Sequence, residues 1–269
     1  MPSRSLSFIK TIMSNPSSKT STESRRPSAK NWPLWLGVGF FSLVGLALLV
    51  SLISFMRGSD DLPAGADTPA APTAEANPPE DLPAHQALVT DVVNDLGREV
   101  MIGDSPTKGN PDADVVLYKF SDFQCAYCSR ATSEVNAFMD EHAADVLFVY
   151  KHLPLMSIHP EAVPAALASW AAGQQDQFWE FHDALFANQA ELGDSLYMRT
   201  ASELGLDLEQ FNRDRASDEA KTAIARDLAL VQELQLSSTP TFVMNDRLIP
   251  GAVSSDFFAE ALTLLQAEL

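Results

Sequence analysis

Hydrophobic residues are arranged along the chain in three ways, and the simplest is an uninterrupted apolar run. Residues 34–56 form a stretch of 23 residues that contains no charged side chain. A helix rises about 1.5 Å per residue, so this stretch would reach about 34 Å, enough to cross the hydrocarbon layer of a membrane. We therefore predict a transmembrane helix over residues 34–56.

The second arrangement is a pair of short apolar segments, VVLYKF at 115–120 and VLFVY at 146–150. Both are rich in β-branched and aromatic residues, which is typical of buried strands. Between them, from Cys125 to about His142, apolar residues recur at helical spacing. Strand, helix and strand of this length predict a βαβ unit with two parallel strands, and hence an α/β fold.

The third arrangement is helical periodicity, which dominates residues 157–235. It predicts an inserted helical subdomain there, with Asp194 as the cap of one helix. Strand residues return at 239–249, where a central turn predicts a β-hairpin. Ser255 is expected to cap a final helix.

The N-terminal third of the chain is organised differently. A short apolar repeat at 88–96, stopped by Gly97, marks the start of the globular domain, which we place at residues 88–269. Residues 57–87 are rich in proline, alanine and acids, which is typical of a semi-extended linker. Residues 1–33 are basic and poor in large apolar side chains, so we expect a disordered arm.

The charges divide the chain at the same place. Residues 1–57 carry seven Lys and Arg and one acid, whereas residues 58–269 carry 11 basic and 35 acidic side chains. The positive-inside rule predicts a cytoplasmic N-terminus and an acidic domain outside the membrane. The acidic domain would repel phosphate backbones, which argues against nucleic-acid binding. A signal peptide cleaved at Ala64-Gly65-Ala66 is the competing interpretation of the apolar run.

The candidate chemistry lies in the two cysteines of the chain, Cys125 and Cys128. Cys125 comes where a strand ends and a helix begins, so backbone N–H groups and the helix dipole are expected to favour its thiolate. Cys128 lies one helical turn further along the same face, close enough to form a disulfide with Cys125. Such a pair can exchange two electrons with another protein through a mixed disulfide, so we predict a redox-active disulfide.

Two other uses of a C-x-x-C segment are possible. A zinc site would need two further ligands, but there is no second cysteine pair and the five histidines are dispersed. A structural disulfide across four residues closes too small a loop to restrain the unfolded chain much. We expect no metal and no organic cofactor, because the cysteine pair itself carries the electrons.

The segment VVLYKFSDFQCAYC, together with the preceding GNP at 109–111, resembles the DsbA-like thiol:disulfide oxidoreductases. The resemblance covers roughly residues 98–268, because IHP at 158–160, QFWEFH at 177–182 and STPTF at 238–242 follow in the order of the family. It implies a thioredoxin fold with an inserted helical subdomain.

The resemblance also implies roles for individual residues. Cys125 would be the attacking nucleophile and Cys128 the resolving thiol. Pro240 would be a cis-proline that faces the pair, and the backbone of Thr239 would bind the substrate chain as an added strand. Tyr127, which lies between the cysteines, is expected to shape the contact with the substrate.

Three residues depart from the pattern of the family. Ala126 replaces the proline between the cysteines, Ser238 replaces a glycine, and Lys119 stands where many relatives have a buried acid. These departures leave the direction of electron flow open. We expect Lys119 to extend to solvent rather than support a thiolate by its charge. Asp122 is a candidate proton relay, although an acid at such a junction more often makes local hydrogen bonds.

Together these features predict a membrane-anchored thiol:disulfide oxidoreductase that forms disulfides in exported proteins. It would be a single-pass protein of the bacterial inner membrane with its catalytic domain in the periplasm. The expected partners are exported protein thiols and disulfides, and a membrane redox partner similar to DsbB or DsbD. Two alternatives stay open, an envelope disulfide reductase or isomerase and a non-enzymatic peptide-binding assembly factor.

Overall fold

The computed structural model of the chain describes residues 81–269, which form an α/β domain. The predicted arm at 1–33, the predicted membrane helix at 34–56 and most of the linker at 57–87 lie outside the described residues. Within residues 81–269, no helix combines the length and the apolar character that a membrane span requires.

The described part begins with two helices, continues with two strands, a central helix and a third strand, and ends with a run of helices, a hairpin and a last helix. In chain order they are α1 (Leu82–Leu96), α2 (Arg98–Ile102), β1 (Thr107–Gly109), β2 (Val115–Ser121), α3 (Ala126–His142), β3 (Val146–His152), α4 (Ala162–Gly173), α5 (Phe178–Ala187), a 3₁₀ turn (Gln189–Glu191), α6 (Asp194–Glu203), α7 (Leu208–Ala216), α8 (Asp218–Glu233), β4 (Thr241–Met244), β5 (Arg247–Pro250) and α9 (Ser255–Gln266).

The five strands of this part form one sheet in the order β1-β3-β2-β4-β5. Strands β2 and β3 are parallel, as the βαβ pattern predicts, and the other neighbouring pairs are antiparallel. The run from α4 to α8 lies between β3 and β4, which confirms the predicted insertion. Strand β1 was not predicted, because its three residues are all exposed and carry no apolar signal.

The central strand β2 is buried on both faces, and its side chains alternate between two cores. Val116, Tyr118 and Phe120 pack with residues of α1 and α8. Val115 and Leu117 point the other way and pack with residues of α3 and α9. By the same alternation, Lys119 and Ser121 continue the α3-facing row toward the end of the strand.

A third core fills the insertion and reaches the end of the sheet. Phe181 and Phe211 from the insertion share it with Tyr150 of β3 and with Phe123 and Cys128. The cysteine pair therefore lies where the sheet, helix α3 and the inserted helices meet.

The domain begins earlier than predicted, because α1 starts at Leu82, inside the segment assigned to the linker. The buried residues of α1 are Val89, Val92 and Leu96, whereas the residues before Val89 are exposed or only partly buried. Hydrophobic periodicity detects only the buried part of such a helix. Pro83 does not prevent the helix, since the N–H groups of a first turn have no intrahelical partner.

Two predicted helix caps are each wrong by one residue. Gly193 precedes α6, and Asp194 instead accepts a hydrogen bond from Arg215 at 2.6 Å. At α9 the capping hydroxyl belongs to Ser254, which accepts the backbone N–H three residues further on, and Ser255 is the first helical residue. In both places adjacent small or polar residues could serve as the cap, and only the backbone geometry distinguishes them.

Candidate active site

The start of α3 places the two cysteines at the end of β2. Cys125 is the residue before the helix and has extended backbone angles, φ −78° and ψ 118°. Its carbonyl accepts the N–H groups of Cys128 at 3.0 Å and Ser129 at 3.2 Å, so the first helical turn is built on Cys125. Cys125 is 6% exposed and Cys128 is fully buried, and both are free thiols in this structure. The redox-active disulfide between them stays a prediction.

The surroundings of Cys125 favour its thiolate and lower its pKa to about 5. The largest contribution is a hydrogen bond from the Cys128 side chain, and the Thr239 side chain and the backbone N–H groups of Cys128 and Tyr127 add to it. Burial acts in the opposite direction but is outweighed. At neutral pH this sulfur is therefore a thiolate, the form that attacks and is attacked in disulfide exchange.

Cys128 has the opposite electrostatic environment. Burial raises its pKa far above the ordinary value, and its hydrogen bond to Cys125 and the charge on that sulfur raise it further. The backbone of Asp122 and the side chain of Ser121 oppose this effect only in part. The two thiols are thus a reactive sulfur near the surface and a protonated sulfur behind it.

The loop before β4 closes the site from the other side. The Thr239–Pro240 peptide bond is cis, and the sulfur of Cys125 lies 3.3 Å from the carbonyl oxygen of Thr239. Tyr127, in the first turn of α3, is 50% exposed, and the guanidinium of Arg130 lies 4.4 Å from the centre of its ring. The structure thus brings Thr239 and Pro240 to the predicted nucleophile and leaves the ring of Tyr127 open to solvent.

Comparison with known protein families identifies the family of the domain. The family model described as thioredoxin matches residues 102–263, more than half of the chain. The chain belongs to the thioredoxin family. It is similar to a solved thioredoxin-like oxidoreductase from Silicibacter pomeroyi, with 35% identity, coverage of 64% of this chain and 98% of that chain, and a TM-score of 0.59. This similarity supports oxidoreductase chemistry in general.

More distant structures share the fold of this thioredoxin-family domain. The thiol-disulfide exchange protein alpha-DsbA2 from Wolbachia pipientis has 20% identity and a TM-score of 0.60, and the match covers 68% of this chain and 98% of that one. Among curated proteins, Na(+)/H(+) antiporter NhaA 1 from Salinispora arenicola is 35% identical over 156 residues, which are 58% of this chain and 24% of the antiporter. The chain spans about a quarter of the length of such relatives, so the match concerns one segment of each.

The carboxylate of Asp122, the predicted proton relay, is used for local structure. It accepts hydrogen bonds from the backbone N–H groups of Gln124 at 2.7 Å and Leu155 at 2.8 Å, and Nδ1 of His159 lies 2.8 Å from it. These bonds join the segment before Cys125 to the loop after β3. The relay role stays a prediction, and the observed contacts are those of a residue that holds two loops together.

The prediction that Lys119 extends to solvent is wrong. Its side chain is 1% exposed, and its Nζ donates to Oγ1 of Thr132 at 2.7 Å and to the carbonyl of Cys128 at 3.4 Å. The ammonium also lies 5.0 Å from the centre of the Phe186 ring. Lysine snorkels when its strand face borders solvent, but helices α3 and α5 cover this face, so the stem has no route to the surface.

Aromatic and imidazole rings of β3 and α5 pack behind the cysteines. Tyr150 and His182 are in perpendicular contact with ring centres 5.1 Å apart, and Phe123 stacks on Tyr150. Burial lowers the pKa of His182 to about 4, although a hydrogen bond to Asp183 opposes this. His182 is thus neutral at pH 7. Within residues 81–269, no three His, Cys, Asp or Glu side chains are placed to hold a metal ion.

Gln189, which no sequence pattern indicates, connects the insertion to the active-site turn. Its Nε2 donates to the carbonyl oxygens of Phe123 at 2.7 Å and Cys125 at 2.9 Å. A second link runs from the backbone N–H of Glu161 to Oε1 of Gln124 at 2.8 Å. Neither glutamine has a sequence signal, since a polar side chain next to a helix is ordinary and its partner lies far away in the chain.

Proposed function

We propose that this protein is a membrane-anchored thiol:disulfide oxidoreductase that forms disulfides in exported proteins. The observation that supports it most is the Cys125 thiolate, whose pKa is lowered to about 5. Stabilising one thiolate of the reduced pair favours the dithiol over the disulfide, so the disulfide form is a good oxidant. An oxidant of this kind is what the formation of client disulfides requires.

The proposed reaction uses the two sulfurs in turn. A client thiolate attacks the Sγ of Cys125 in the disulfide form, which makes a mixed disulfide and releases the sulfur of Cys128 with the electron pair of the broken bond. A second client thiolate then attacks the client sulfur of the mixed disulfide and expels Cys125 as a thiolate. The client gains one disulfide, and the enzyme is left with two reduced cysteines.

In this proposal the client chain docks beside the nucleophile. The carbonyl oxygen of Thr239 lies 3.3 Å from the Cys125 sulfur, and Pro240 follows it directly before strand β4. An extended client segment would pair with the backbone of Thr239 as an added strand, and the exposed ring of Tyr127 would contact its side chains. Hydrogen bonds between the backbones of Thr239 and the client would give affinity without preference for the client sequence, which suits an enzyme with many clients.

Residues 34–56 supply the proposed membrane anchor, with the N-terminus in the cytoplasm and the catalytic domain in the periplasm. The charge asymmetry of the sequence supports this orientation. The reduced pair would be reoxidised by a DsbB-like membrane partner, whereas a DsbD-like partner would drive the reverse, reducing direction. Thiols of exported proteins are the proposed substrates.

The enzymatic proposal is tested by following the oxidation of a reduced model protein by the full chain. Cys125→Ser is expected to abolish turnover, and Cys128→Ala is expected to trap mixed disulfides with clients. Undiminished turnover by Cys125→Ser would overturn the proposal. If a variant with both cysteines replaced still bound client peptides as well as the original chain, the assembly-factor alternative would be favoured.

The direction of electron flow is tested by equilibrating the reduced and oxidised pair in glutathione buffers. A reduction potential near about −120 mV supports an oxidant, and one near about −270 mV supports a reductase. Location is tested with a membrane-impermeant thiol reagent on intact cells after mild reduction. The reagent is expected to label the original chain but not Cys125→Ser, and equal protection of both would contradict a periplasmic domain.

A further inference from the structure

Lys119 is an unusual residue for the inner face of a central strand. It lies two residues before Ser121 on the face of β2 that turns toward α3, and its side chain is 1% exposed. The contacts of its ammonium with Thr132 and with the Cys128 carbonyl both fall on the turn of α3 that carries Cys128. The fold therefore holds a buried ammonium against the turn of α3 that carries the resolving cysteine.

The charged groups around Lys119 come from two helices. Cys128 faces it from α3 and Cys125 from the position directly before α3, and Asp183, next to the neutral His182, faces it from α5. Burial lowers the pKa of Lys119 to about 8, although Cys128, Asp183 and Cys125 act to raise it. The ammonium and the neutral amine are therefore both accessible near neutral pH, which an exposed lysine would not allow.

Cys128 needs such a group when its bond to Cys125 breaks. Burial disfavours its thiolate strongly, so the leaving sulfur has to take up a proton inside the protein. The carboxylate of Asp122 is already occupied by three donors from neighbouring loops. The hydroxyl of Tyr150 is a further proton carrier nearby, and burial raises its pKa well above its usual value, so it holds its proton.

We propose that Lys119 is the buried acid–base group of Cys128. When a client thiolate attacks Cys125, the departing Cys128 sulfur keeps the electron pair of the broken bond and receives a proton from the Lys119 ammonium. Cys128 is left as a thiol and Lys119 as a neutral amine, which recovers a proton from those that the two client thiols release. In the reverse direction the amine accepts the Cys128 proton, and Cys128 attacks the mixed disulfide.

This inference rests on the proposed thiol–disulfide exchange but not on its direction, its clients or the membrane anchor. The test therefore uses a small reagent. The rate at which dithiothreitol reduces the Cys125–Cys128 disulfide of the full chain is measured between about pH 6 and 9 and divided by the concentration of the reagent thiolate. If Cys125→Ser left client oxidation intact, the proposed function would fail regardless of this result.

In the original chain, the rate constant per thiolate is expected to fall as Lys119 loses its proton. The inflection is expected at or below about pH 8, because the oxidised pair lacks the thiolate charges that raise the pKa of Lys119. Lys119→Met is expected to lower this rate constant about tenfold or more below the inflection and to remove the inflection itself. Lys119→Arg keeps the cation but does not release its proton, so it is expected to stay slow as well.

Lys151 offers a matched control, since it is also 1% exposed but contacts Asp227, Ser105 and the carbonyl of Ile102 instead of the cysteine turn. Lys151→Met is expected to lose stability and to keep the inflection. A flat profile in the original chain would overturn the proposal without any variant. Full recovery of the original rate by Lys119→Arg would also overturn it, because charge alone would then suffice.

Discussion

The pKa of Cys125 depends strongly on the hydrogen bond that its sulfur receives from the Cys128 side chain. Among the contributions that lower the pKa of Cys125 to about 5, the bond from the Cys128 side chain is the largest. Replacing Cys128 by Ala removes that donor and leaves the backbone N–H groups of the first turn in place. The variant therefore separates the contribution of the second thiol from that of the helix.

The size of the effect follows from the type of bond. A hydrogen bond to a charged acceptor contributes about 1.5–3 kcal/mol, and about 1.4 kcal/mol corresponds to one pH unit of pKa. Cys128→Ala should therefore raise the pKa of Cys125 from about 5 to between about 6 and 7. The thiolate would be stabilised less, and at pH 7 only part of the population would carry it.

The measurement is the ultraviolet absorbance of the thiolate during a pH titration of the reduced protein. Cys128→Ser is the control, because its hydroxyl keeps a donor beside Cys125 and should hold the pKa near the original value. If Cys128→Ala titrated within about half a pH unit of the original chain, the helix start and Thr239 would be the dominant contributors, and a controlling role for the Cys128 thiol would be refuted.

The remaining predictions concern stability. The pKa of Cys125 is lower in the folded reduced protein than in the unfolded chain, so its contribution is full above the unfolded pKa and disappears as the pH falls through about 5. Between about pH 6 and 8 the stability of the reduced form should rise relative to the oxidised form by about 1.4 kcal/mol per pH unit, measured by urea unfolding, and a constant difference would contradict this. Gln189→Ala should cost about 1–3 kcal/mol, because the part-buried carbonyl of Phe123 loses the amide donor and that of Cys125 keeps only its two helical N–H donors, and an unchanged urea midpoint would show that water replaces the amide. Gly109→Ala should cost more than Gly97→Ala in thermal unfolding, because both have positive φ but only at Gly109 would a Cβ collide with a backbone carbonyl of the neighbouring strand; equal losses would argue against that collision.

The two central strands, the helix between them and the place of the cysteine pair could be predicted because they are encoded locally. The apolar segments around residues 115–120 and 146–150 coincide with β2 and β3, which are buried on both faces. The helix between them starts next to Cys125, so the relation of the two cysteines to the helix start follows from the sequence alone. Hydrophobic periodicity and apolar content are properties of neighbouring residues, so a single sequence contains them.

Other features depend on contacts between distant parts of the chain. Nothing near Gln189 indicates that it donates a hydrogen bond to the Cys125 carbonyl 64 residues away. Nothing near Asp122 indicates that its carboxylate accepts a hydrogen bond from the loop after β3. The helix caps at Gly193 and Ser254 were missed for a related reason, since adjacent residues compete for one position and the backbone angles decide.

The sequence by itself determined that two thiols stand one turn apart at the start of a helix after a buried strand. Only the tertiary structure decided what surrounds them. A lysine within a strand can reach solvent or be enclosed, and the outcome for Lys119 depends on α3 and α5, which cover that face of the sheet. Hydrogen bonds from Cys128, Thr239 and the backbone of the first turn keep Cys125 a thiolate against its burial. Burial keeps Cys128 a protonated thiol, and this desolvation depends on what the whole chain packs around the sulfur.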